Sequence, residues 1–121
     1  MFLATVNQPR QLLYLTYIQH VTLQELERGR KDILALLDGV TTGFRVVADL
    51  NWLDRMDVEC AAEIGRIMEF CEQRGVGQVV RIIPDPGKDI GLSILSLFHY
   101  RHNPHIVTCR SLAEAGKVLA L

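Results

Sequence analysis

Three carboxylates, Asp49, Asp54 and Asp57, stand within a short stretch that also carries Asn51, Trp52 and Glu59. Carboxylates this close could hold Mg²⁺ together with a phosphate, or present a negative surface to another protein. No nucleophile, general base or companion glycine loop accompanies them, so solvated or helix-capping acids are the commoner outcome. Trp52 carries more information. It falls between polar residues beside Leu53 and Met56, where a large ring either anchors an interface or folds back onto a sheet.

Two further groups invite chemistry. His99, His102 and His105 recur at a spacing of three, and imidazoles so placed on a helix can converge on one metal ion. Asn103-Pro104 breaks a helix between His102 and His105, and no carboxylate or cysteine lies at the usual ligand spacing, so no metal or cofactor is expected. Pro84-Asp85-Pro86-Gly87-Lys88-Asp89-Ile90-Gly91 follows a strand and opens a helix, the geometry in which backbone amides hold an anion. It lacks the Gly-Lys-Ser/Thr of a Walker loop, and Asp85 and Asp89 oppose a phosphate, so helix initiation is the simpler reading. Arg81, Gly87 and Lys88 are the residues a small ligand would use there. Cys60, Cys71 and Cys109 are an odd number at wide spacings on apolar positions, which predicts buried thiols in a reducing cytosol.

The chain of 121 residues fits one domain with its own core. With 49% hydrophobic and 22% charged residues it is composed as a globular protein, not a disordered one. Its formal net charge of -1 and lack of a basic run give no footprint for a nucleic-acid backbone. No apolar run approaches the ~18 residues of a membrane span. A cytoplasmic protein that meets neither nucleic acid nor membrane is the expectation.

The elements that would position these groups follow from periodicity and punctuation. Phe2 to Val6 is a weak strand, and Gln11 to Gln19 a stronger one joined to it as a hairpin. Thr22-Leu23-Gln24-Glu25 has the form of a capping box opening a helix to about Leu37, with Leu23, Leu26, Ile33, Leu34 and Leu37 on its inner stripe. Gly29 inside that helix costs ~1 kcal/mol against alanine and marks close packing or a groove. Phe44 to Leu50 is a strand buried on both faces, followed by a loop from Asn51 to Asp57. A second helix runs from Val58 to about Arg74, its apolar stripe made of Ala61, Ile64, Met68 and Cys71 with Val58, Ile67 and Phe70 nearby, and Glu63, Arg66, Glu69 and Gln73 on the wet side. Gly75 caps it in a left-handed conformation. Gln78 to Ile83 is the next strand, Lys88 to Tyr100 a third helix, His105 to Cys109 a last strand, and Ser111 opens a terminal helix ending near Leu119. The alternation predicts an α/β fold with a mixed, mostly parallel sheet, an antiparallel N-terminal strand and four helices.

Asp49-Leu50 at a strand end, Asp57 at the mouth of the second helix, Gly75 before a strand, and Thr108-Cys109-Arg110-Ser111-Leu112-Ala113-Glu114-Ala115 as a strand-to-helix turn together resemble the STAS domain of sulfate transporters and bacterial anti-sigma-factor antagonists. The resemblance spans nearly the whole chain. It implies a regulatory module without catalytic activity that binds a protein partner. In antagonist-type members a serine after that helix-mouth Asp is phosphorylated, and the added charge breaks a complex. Here the run is Asp57-Val58-Glu59-Cys60, without a hydroxyl, and Glu59 takes the place nearest that serine. The resemblance thus implies a module not switched in this way, with Glu59 either a permanent charge or a carboxylate favoured by the helix dipole. The expected interaction residues are Asn51, Trp52, Asp54, Asp57 and Glu59. The alternative is a small-ligand or lipid sensor with a cleft near residues 84–91. The N-terminal hairpin leaves an edge strand without an obvious charged blocking residue, to which a second copy could pair as a homodimer.

Overall fold

The computed structural model describes residues 1–85 and 104–120. Strand β1 (Phe2–Asn7) and strand β2 (Leu12–Val21) lead to helix α1 (Leu23–Leu36), which a 3-10 turn at Leu37–Gly39 extends. Strand β3 (Arg45–Met56), helix α2 (Cys60–Gln73), strand β4 (Gln78–Ile82), strand β5 (His105–Cys109) and helix α3 (Leu112–Leu119) follow. The sheet runs β1-β2-β3-β4-β5 in space. β1 is antiparallel to β2, and the other neighbours are parallel. The expected mixed α/β sheet is therefore present, with three α-helices among the described residues. The helix expected over Lys88 to Tyr100 lies outside them.

Local chemistry sets the helix ends. The Thr22 hydroxyl accepts from the Glu25 amide while the Glu25 carboxylate accepts from the Thr22 amide, so both orphan donors are satisfied. At the end of α2, the Val76 amide donates to Cys71 and the Gly75 amide to Glu72, with Gly75 at φ +85°. That is the Schellman arrangement, which needs a left-handed residue where Gly75 stands. Ser111 caps α3 through the Glu114 amide, but Glu114 reaches back to the amide of Arg110 and not to that of Ser111.

Strand alternation divides the core. Leu13, Leu15, Val46, Leu50, Leu53 and Val79 meet α1 and α2 on one face. Leu12, Val47, Val80, Ile82 and Cys109 meet Ala115 and Leu119 of α3 on the other. Gly29 lies against the Phe2 ring, where a Cβ would overlap it, so the glycine serves close packing.

Three positions of the expected second helix differ from the periodic reading. Val58 precedes the helix and is 94% exposed, and Ala61 is exposed as well. Glu63, expected on the wet side, is 1% exposed. Its carboxylate pairs with the Arg30 guanidinium of α1 and, at 2.7 Å, with Arg66 one turn further along α2. Burial pushes the Glu63 carboxyl up, but hydrogen bonds and charge from the two arginines outweigh it and leave the group below its usual range.

The largest difference is the length of β3. It continues through Met56, paired with β2, where the sequence predicts a loop from Asn51. Two register shifts make this possible, between Thr16 and Ile18 and between Gln19 and His20, each leaving one extra residue in β3. A bulge moves the next side chains to the opposite face, which is how Leu50 and Leu53, three apart, both reach the same core.

Candidate functional site

The aspartates do not converge. Asp49 and Asp57 lie at opposite ends of an eight-residue run of mostly extended chain, roughly 25 Å at ~3.3 Å per residue, so no shared cation site forms between them. Asp49 is buried in the sheet, accepting from the Tyr14 hydroxyl at 2.7 Å and from the Asn51 amide at 3.0 Å. Burial first, then the bond to Asp49, raise the Tyr14 phenol above its ordinary value. Asp57 sits beyond the end of β3 with its Oδ1 2.7 Å from His20 Nε2, and its amide donates to Val21. The pair ties the mouth of α2 to the end of β2. Glu59 makes no side-chain cap bond, its backbone being already helical, and its place at the start of α2 still sets the carboxylate against the positive end of the helix dipole. It and Asp54 are exposed.

Trp52 does not fold back. It is 62% exposed, on the sheet face opposite α1 and α2. Its strand register sets it beside Ile18, and Ile18 in turn bonds to Met1, so Met1, Ile18 and Trp52 form one row across three strands. Met1 is 52% and Leu3 in the adjoining row 48% exposed. Single exposed apolar residues are ordinary, whereas a row of them is a feature common on interaction surfaces. At the helix mouth Val58 projects almost wholly into solvent. Around them are the carboxylates of Asp54, Asp57, paired with His20, and Glu59, with Arg55 and the Met1 ammonium, itself paired with Glu25, as the cations, so acids outnumber bases on the rim.

Among the expected site residues, the structure sets Asn51 and Trp52 side by side on the exposed part of β3, and Asp57 and Glu59 at the turn into α2, with Asp54 between the two. Val58 and His20 were not singled out from sequence. Val58 fits the apolar spacing of α2, and nothing local in sequence joins His20 to Asp57. Arg81 is buried between strands, donating to Thr108 Oγ1 at 2.8 Å. Gly87 and Lys88 lie outside the described residues, as do His99 and His102, while His105 is exposed on β5. A cavity of about 30 Å³ between α2 and the sheet, lined by Tyr17, Ala48, Ile64, Met68, Cys71 and Arg81, has room for about one or two waters and not for a lipid. The three thiols are buried. Burial raises all of them, Cys71 to about 12, and the charges of Asp57 and Glu59 add to the effect at Cys60.

No family model matches the sequence, and no curated protein matches it significantly. Solved structures do match. An uncharacterized protein of the DUF3478 family with a SpoIIAA-like fold, from Shewanella loihica PV-4, superposes with a TM-score of 0.73 at 13% identity, covering 98% of this chain and 92% of that one. The anti-sigma factor antagonist SpoIIAA in its unphosphorylated form gives 0.61 at 15% identity over 100% of both chains. The Bacillus cell fate determinant SpoIIAA in its phosphorylated form gives 0.65 at 15% identity over 98% of this chain and 99% of that one. No described helix is long and apolar enough to cross a membrane. The sheet order, the antiparallel first strand and these superpositions give the chain the SpoIIAA-like fold.

Proposed function

We propose that this chain is a non-enzymatic, STAS-type regulatory module that binds a protein partner through Asn51, Trp52, Asp54, Asp57 and Glu59, with Val58 as a further contact. The carrying observation is the exposure of Trp52 on a bulged strand in register with other exposed apolar residues. A strand end that buries Leu53 and leaves an indole in water gains nothing for folding from that indole, whereas aromatic side chains dominate binding energy at interfaces. The acidic rim suits a partner with a basic patch. Because Asp57-Val58-Glu59-Cys60 lacks a hydroxyl, serine phosphorylation at that turn does not switch the module.

The test is recovery of a partner from host extract on immobilised protein, repeated with Trp52→Ala and with the double variant Asp57→Lys/Glu59→Lys. Truncating the indole should weaken binding by about 2 kcal/mol, roughly thirtyfold, and charge reversal should abolish recovery. Thermal melts of Trp52→Ala should match the parent. Equal recovery by all three proteins would remove the site.

A further inference from the structure

Strand β1 is at the edge of the sheet, and β4 and β5 lie at the other side. The Ile18 amide donates to Met1 O at 2.8 Å, which fixes the alternation: Leu3, Thr5 and Asn7 bond inward to β2, and Phe2, Ala4 and Val6 turn their amides and carbonyls outward. No described residue pairs with that outer edge. Edge strands ordinarily carry a charge, a proline or a bulge that blocks pairing. The run Phe2-Leu3-Ala4-Thr5-Val6-Asn7 has no charged residue and no proline. Its register with β2 is unbroken, and none of its residues has positive φ.

We propose that a second copy of this chain adds its own β1 antiparallel to this edge, about a two-fold axis at Ala4, fusing two five-stranded sheets into one. The outward groups are symmetric about Ala4. Phe2 therefore meets Val6 of the second copy, Ala4 meets Ala4, and Val6 meets Phe2, with two hydrogen bonds at each pair. Any extended strand could offer those backbone groups, but a second copy brings an equally uncharged edge and closes the contact on itself about the two-fold axis. On the exposed face the same register sets Leu3 opposite Thr5 of the second copy at both ends, removing two exposed leucines from water. Neither strand carries a charged side chain, so no like charges face each other along the paired strands. Trp52 lies two strands away and stays open to another partner.

Sedimentation velocity over a concentration series tests this with the parent, Ala4→Pro, Leu3→Glu and Trp52→Ala. Proline at residue 4 deletes an outward amide and leaves the bonds to β2 in place. Leu3→Glu keeps every backbone bond and places a carboxylate where the second copy packs. The parent and Trp52→Ala should dimerise alike, and Ala4→Pro and Leu3→Glu should need at least tenfold more protein to do so. If Ala4→Pro fails to fold, by circular dichroism, Leu3→Glu decides. A parent that stays monomeric at every concentration, or variants that dimerise as tightly as the parent, would overturn the proposal. Because Trp52→Ala is read in the same series, its loss of partner binding is separable from loss of the dimer.

Discussion

Trp52 is the only tryptophan in the chain, so its environment can be read directly. In the free protein its fluorescence should match that of an indole in water and be readily quenched by acrylamide, and partner binding should shift it to the blue. Emission already blue in the free protein would mean that the ring is covered. Glu63 makes the opposite case, a charge held inside. Its folded carboxyl lies below the ordinary range, so its ion pairs stabilise fully above the unfolded-state value and are lost as pH falls through the folded one. Urea melts between about pH 5 and pH 3 should show that decline in the parent and less of it in Glu63→Gln, which should also be about 2 kcal/mol less stable at neutral pH. Equal pH profiles would assign the pair no stabilising role. The three buried thiols should resist a thiol reagent in the native protein and react only on unfolding. At this scale the sequence was legible where a residue acts on near neighbours, as with Thr22 and Glu25. It was illegible at Glu63, because the Arg30 that makes its burial tolerable arrives from another helix.

The elements show why a strand was mistaken for a loop. A strand is recognised by alternation, but Leu50, Leu53 and Met56 recur every third residue, since each bulge in β3 shifts the pleat by one. Three polar residues between them, Asn51, Asp54 and Arg55, complete the appearance of a loop. Val58 was misplaced by the same reliance on spacing, as it fits the stripe of α2 and yet precedes the first turn. The glycines were easier, because each answers to one constraint. Gly29→Ala should cost about 1 to 2 kcal/mol by melting, the overlap with Phe2 exceeding the gain in helix propensity. Gly75→Ala should cost a similar ~1 to 2 kcal/mol, since φ is +85° and a Cβ would lie 2.7 Å from Thr42 Cγ2. A stabilised Gly29→Ala would show that Phe2 moves aside freely.

For the whole molecule, the order of strands and helices was legible because parallel neighbours require crossovers, and α1 and α2 supply them between β2, β3 and β4. What the order does not disclose is which part of each sheet face stays wet. Among the described residues that depends on α3, which packs on Leu12, Val47, Val80, Ile82 and Cys109, with Arg45 bonding Leu119 O at 2.8 Å, and leaves Leu3, Ile18 and Trp52 beyond it. The acids then become a rim to an apolar row and not a cluster, and the mouth of α2 becomes the place where row and rim meet. A photo-activatable residue introduced at Val58, and separately at the exposed Val118 of α3, beside the Arg45 end of β3, tests this most directly. The account predicts that the partner crosslinks from position 58 and not from 118; crosslinking from 118 alone would contradict it.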